Sequence, residues 1–435
     1  MSTKLNINLM KTVILCNFSL LLFVLSIPGT IALRNTLAVL LIIALALSWL
    51  KNKILMKPLF NNKSFRSIIL ILLILSIYIL IHSFFLADEL YWSLSQYRTQ
   101  WIYPMIYFTI GIFLASHAFF DKVFKKETLI NVIFFSLFLH VLYLDLVAIY
   151  QYIETGQLLT RYGGITGSPV LANYITNILI AFIIVELISR FKTSKITIQI
   201  NTLWLLLILI LCIFSSIVEN MRFGVISLFI MSIAGVIFFI SGNKKLNTKV
   251  KALLSLLLLI LCALPLIYNA KSDSRWATLI ETIPIAIAID SSNYWIGNEN
   301  RNISEIPLLA NGEAVSHSNY ARIAWLVKGV EYISKDIFGI GYGKNIFGHA
   351  VEKYEGIEMV RGMHSHSSII DFTIGVGLIG LLIWLIFIGK LIISQARVYF
   401  NTDNYYALLS IFFTTGFFIR SLVDSNMRDH MFKQF

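Results

Sequence analysis

Six side chains stand out by type and position. Arg98 lies in Gln96-Tyr97-Arg98-Thr99, where an apolar run begins, and Arg161 opens the stretch Arg161-Tyr162-Gly163-Gly164-Ile165-Thr166-Gly167-Ser168-Pro169. Arg222 follows Glu219-Asn220-Met221 in a short gap between two apolar runs, and Arg322 sits in Tyr320-Ala321-Arg322-Ile323-Ala324-Trp325. His364 and His366 fall in His364-Ser365-His366-Ser367-Ser368, just ahead of another run. Guanidinium groups match phosphate oxygens with a planar fork of donors, and imidazole exchanges a proton near neutral pH. Together they would make an anion site with a titratable group beside it. Arginines at such positions also contact lipid headgroups or cap helix ends. Arg222 suits that role least, because a charge in so tight a turn cannot snorkel far.

The elements that must position these residues follow from composition. Of 435 residues, 57% are hydrophobic and 13% charged, against roughly 45–50% and 25% for soluble domains. With a mean hydropathy of +0.79, the chain needs the bilayer as solvent. That excludes a disordered tail, a disulfide scaffold and a nucleic-acid binder built on a basic soluble domain. Runs long enough, or nearly so, to span a membrane occur near 12–32, 34–50, 66–86, 100–119, 128–150, 169–189, 201–218, 223–241, 250–268, 369–394 and 404–421. The expected fold is all-α: a polytopic integral membrane helix bundle of about 11–12 transmembrane helices. It divides into nine helices over 1–269, a large exported loop with short helices over 270–365, and C-terminal helices over 366–435.

Charge sets the orientation. Lys4, Lys11 and every second loop, from Lys51–Arg66 to Lys390 and Arg397, place nineteen basic residues on one side against three acids, Asp121, Glu127 and Asp403. The positive-inside rule makes that side, and the N-terminus, cytoplasmic. Eleven spans then put the C-terminus and all six candidate residues on the exported side. The exported loop carries Ser274-Arg275-Trp276, Asn298-Glu299-Asn300-Arg301 and a helical period from Tyr320 to Ser334, which predict a polar surface with one or two helices. Cys16, Cys212 and Cys262 all lie in apolar runs and cannot staple that loop. No zinc-type spacing and no Gly-rich nucleotide loop is present, so neither a metal nor another cofactor is expected.

From His366 the chain reads His-Ser, nine residues, Gly377, two residues, Gly380. This resembles the signature of the O-antigen ligase family. The stretches from Tyr320 to Gly343 and from Arg161 to Asn173 resemble segments of the same ligase and polymerase superfamily, and Arg222 occupies a short turn where those proteins keep an arginine. Many relatives carry a proline near Phe338, and family ligases usually show twelve spans; here the last helix is missing or unrecognised. The resemblance implies a glycosyltransferase of the bacterial inner membrane with its active site at the periplasmic face. It would move O-antigen polysaccharide from undecaprenyl diphosphate to a sugar of lipid A–core, without metal or ATP and with inversion. It implies catalytic roles for His366, Arg222 and Arg322, and substrate-binding roles for Arg98, Arg161, Asn173, Gly377 and Gly380. Gly377 and Gly380 also suit close helix packing. The partners implied are the lipid-linked donor, the lipid A–core acceptor and membrane lipids, with no nucleic acid. A polymerase or a protein O-oligosaccharyltransferase of the superfamily shares these features, and a polysaccharide transporter or flippase is the remoter alternative.

Overall fold

The computed structural model describes residues 2–51, 57–119, 124–242, 247–289, 293–296, 306–357 and 360–435. Lys53, Asp121, Lys122, Lys244, Lys245 and the stretch 298–301 lie outside the described residues. Among those described, the chain is all-α apart from an isolated bridge between Leu308 and Ala314. Helices close every backbone hydrogen bond within one segment, which lipid demands of a spanning chain.

Every one of the eleven apolar runs is helical. Nine described segments are long and apolar enough to cross a membrane. They are α2 (Ile31–Lys51), α4 (Lys63–Phe85), a continuous stretch of α5 (Leu90–Gln96), a π turn (Tyr97–Ile102) and α6 (Tyr103–Phe119), then α7 (Lys126–Thr155) and α8 (Pro169–Thr193). α9 (Thr202–Glu219), α10 (Arg222–Gly242), α11 (Thr248–Ser272) and α15 (Ser368–Thr402) complete the set; α3 (Lys57–Asn61) is a short connector. The other two runs fall outside that set. The first, α1 (Ser2–Val24), stops before Pro28 and Gly29, whose φ of 77° turns the chain; α16 (Tyr405–Ser421) has 17 residues. The chain is a multi-pass membrane helix bundle. α8 is its central post, with 83% of its apolar stretch buried, whereas α11 is peripheral at 17%.

The long loop is more than a polar surface with one or two helices. α12 (Leu279–Ile287), α13 (His317–Lys335) and α14 (Ile346–Glu355) enclose Trp295, Tyr320, Tyr332 and Phe347 in a core of their own. That core continues onto Ile370 and Ile374 of α15, so the loop domain is seated on the bundle.

α15 leaves helical geometry at Gly377 (φ 71°, ψ −178°). The break frees backbone groups inside α15, and the segment Ile337–Gly341 takes them up. Ile340 and Gly341 N–H donate to the Ile374 and Gly375 carbonyls at 2.9 Å, and Leu378 N–H donates to Ile337 O at 2.9 Å. Tyr78 of α4 donates to Val376 O at 2.9 Å. Irregular backbone is tolerated in a spanning segment where protein satisfies it.

No twelfth span follows α16 among the described residues. The chain turns back through Asp424–Arg428, and α17 (Asp429–Gln434) packs on α6 with Phe432 against Trp101, Trp384 and Phe417.

Candidate functional site

The turn that carries Arg222 is built by its neighbours. Asn220 closes α9 in left-handed geometry (φ 47°, ψ 47°), and its side-chain oxygen accepts from Asn269 Nδ2 at 2.5 Å, pinning the turn to α11. Arg222 at the first position of α10 then donates to Asn319 Oδ1 of α13 at 2.6 Å and lies 3.6 Å from Asp273. Asp273 also holds Arg275, through Nε at 2.7 Å. Arg275 closes the circuit: its carbonyl accepts from Asn319 Nδ2 at 2.7 Å. Burial works against the Asp273 carboxylate, but Arg275 and Arg222 outweigh it and hold its pKa below the ordinary value. Arg222, Asp273, Arg275 and Asn319 thus tie the loop domain to the bundle.

Arg322 stands one turn along α13 from Asn319, and it differs from Arg222. Its guanidinium is half-buried and makes no hydrogen bond or ion pair with any described residue. Burial pushes its pKa below the ordinary arginine value; Asp424 opposes this, and the charges of Arg275 and Arg161 reinforce it. It stays protonated at any physiological pH.

One turn further, the Trp325 indole stacks on the His366 ring at 5.1 Å and 17°, locked by a bond from its Nε1 to Trp295 O at 3.0 Å. His366 precedes α15 in left-handed geometry (φ 56°). The bend is held by Asp371, which accepts from Ser365 N–H at 3.0 Å, and by Ser365 Oγ donating to Ser367 O at 2.9 Å. His364 lies beside it, 4.2 Å between ring centroids. Burial first, then the Arg322 charge, lowers the His366 pKa to about 4; burial, then Arg428, lowers that of His364 to about 3. Both imidazoles are neutral at pH 7. The ring nitrogens of His366 carry no bond to a described residue, so they are available to a proton.

Arg161 joins this group. The Tyr162 N–H reaches Val218 O at the end of α9 at 3.4 Å, and Thr166 Oγ1 clamps the turn onto Gly163 O at 2.6 Å. The exposed Arg161 guanidinium lies within electrostatic reach of Arg222 and Arg322. Arg161, Arg222, Arg322 and His366 therefore meet at one end of the bundle.

Four expected residues stand elsewhere. Arg98 is exposed in the π turn and bonds to none of the cluster. Asn173 is fully buried beneath the site, its Nδ2 donating to Glu219 Oε2 at 2.8 Å, so it supports the site and does not line it. Gly377 makes the break in α15: a Cβ there would stand 2.3 Å from Phe338 O. At Gly380 a Cβ would meet Val376 at 2.3 Å and Tyr78 at 3.1 Å. In the fold both glycines serve backbone geometry and close packing.

Reading the sequence missed Arg275, Asp273 and Arg420. Arg420 ends α16 and donates to Asp424 Oδ2 at 2.8 Å, to Val170 O at 2.9 Å and to Asn173 Oδ1 at 3.3 Å. It carries the signal that flagged Arg98, a basic residue at the end of an apolar run. Arg275 carries none, since its polar loop looks like any surface. Among the described residues no group of three His, Cys, Asp or Glu side chains is arranged to hold a metal. No protein-family model matches the chain, and a search of curated proteins finds no match.

Proposed function

We propose that the chain is a glycosyltransferase of the O-antigen ligase type, moving a polysaccharide from undecaprenyl diphosphate to a sugar hydroxyl of lipid A–core. In this reading it lies in the bacterial inner membrane, with its basic face cytoplasmic and the arginine cluster periplasmic. The observation that carries it is a guanidinium, Arg322, that has no partner among the described residues and acts electrostatically on a neutral imidazole, His366, which is stacked on Trp325 and unbonded to any described residue.

The acceptor hydroxyl oxygen attacks the anomeric carbon from the face opposite the diphosphate, with inversion. As the C–O bond to the diphosphate breaks, its electron pair leaves with the phosphate, and Arg322 and Arg161 offset the growing charge. His366 takes the hydroxyl proton. Arg222 and Arg275 hold the wall of the site. The guanidinium groups supply the positive charge, and the diphosphate is the leaving group, so the step is assigned to neither a metal nor ATP.

The test supplies lipid-linked glycan and lipid A–core to purified, folded protein in EDTA without ATP. Wild type transfers; His366→Ala and Arg322→Ala lose roughly 10²–10⁴-fold in turnover. Wild-type rates in both variants, or abolition of transfer by EDTA, would sink the assignment. Laddering of lipid-linked repeats with no lipid A–core present would reassign the same residues to polymerisation.

A further inference from the structure

A cavity of about 630 Å³ lies inside the bundle between α1, α4, α6, α7, α8, α15 and α16. Its lining is predominantly apolar, with Leu21, Phe108, Ile133, Phe182 and Phe413 typical of it, and its size falls in the ~300–1,000 Å³ range of ligand sites. Two glycines keep it open: a Cβ at Gly111 or Gly416 meets nothing within 4 Å. Along α6 the lining runs from Pro104 to Phe119, about 22 Å at 1.5 Å per residue. Apolar cavities stay dry, so inside a membrane the natural filling is hydrocarbon.

At the loop-domain end the lining passes into α17 and includes Lys433, Gln434 and Phe435. The Lys433 ammonium stands 5.7 Å and 5.9 Å over the rings of Tyr103 and Tyr107. Burial and then the charge of Arg34, in the first turn of α2, push the Lys433 pKa below its ordinary value, against Asp429. Neither Lys433 nor Arg34 forms an ion pair with a described residue. Arg34 donates Nη1 to Leu25 O at 2.9 Å, but its buried Nε has no acceptor among the described residues. Lys433 therefore lines a predominantly apolar cavity, and Arg34, with an unused donor, lies within electrostatic reach of it. A phosphate is the group that satisfies both.

We propose that this cavity holds one acyl chain of an anionic phospholipid, with the lipid phosphate between Arg34 and Lys433. Phospholipid is the solvent around the bundle, and its chain and phosphate match the two parts of the site. The inference does not rest on glycosyl transfer, and its test needs no turnover.

Native mass spectrometry of delipidated protein given phosphatidylglycerol reads the outcome. Wild type retains one lipid per chain; Lys433→Glu weakens retention roughly tenfold or more, and Gly416→Leu, which fills the cavity, removes it. Lys433→Gln gives a smaller loss and decides the case if Gly416→Leu does not fold. Six-carbon phosphatidylglycerol and inorganic phosphate fail to compete. Equal retention by wild type and both Lys433 variants, displacement by inorganic phosphate, equal retention of neutral diacylglycerol, or retention of a polyprenyl phosphate alone would overturn it.

Discussion

Arg222 and Arg322 are alike in sequence and unlike in the fold, and the difference can be measured. Arg222 bonds Asn319 and faces Asp273, so Arg222→Ala leaves buried polar groups short of a partner and should cost about 1–3 kcal/mol in thermal or denaturant unfolding. Arg322 has no such partner among the described residues, so Arg322→Ala should lose turnover while keeping wild-type stability. Equal stability losses would contradict the division of labour. His366 supplies a second reading at this scale. Its pKa, near 4 in the folded chain against 6.5 as the reference, keeps the proton-accepting form full at pH 7. Transfer should therefore hold steady from pH 8 to about 6 and fall only as pH drops toward 4, the limb disappearing in His366→Gln. A limb near 6.5 would mean that the acceptor is another group. For stability the sign is the same: the unfolded state binds the proton first, so folding weakens as pH falls from 6.5 toward about 4.

Among the elements, α15 is the one whose shape departs most from what its sequence suggested. An unbroken run over 369–394 contained a glycine motif that fitted both substrate contact and helix packing. The motif is a break: Gly377 adopts a φ of 71° because Ile337–Gly341 comes in beside it and trades backbone hydrogen bonds with Ile374, Gly375 and Leu378. Gly377→Ala meets Phe338 O at 2.3 Å and a strained φ together, which should destabilise by at least about 1–3 kcal/mol. Thermal unfolding in detergent measures it, and an unchanged midpoint would mean that the break is dispensable. The partner segment begins 40 residues upstream of Gly377, beyond the reach of any local pattern, which is why the break was not legible. The turn at Arg222, by contrast, was. Its shortness alone confined the guanidinium to neighbouring helices.

For the whole molecule, orientation is the open property that labelling can decide. In a Cys16→Ser background, a membrane-impermeant maleimide added to spheroplasts should label Glu313→Cys in the loop domain and leave Lys195→Cys, on the basic face, untouched. Both positions are exposed, so the reverse pattern would invert the topology. The sequence by itself determined the class, the eleven helical runs and the alternation of basic ends. Each of these is a property of one segment against lipid, where a helix must satisfy its own backbone and where Lys and Arg resist translocation. Only the tertiary structure decided the site. Arg222 meets Asn319 across 97 positions and Arg420 meets Asn173 across 247. Helix faces that pack together in a membrane are no more apolar than those facing lipid. Hydropathy therefore says where helices lie and not which of them touch, and the cluster exists only in the contacts.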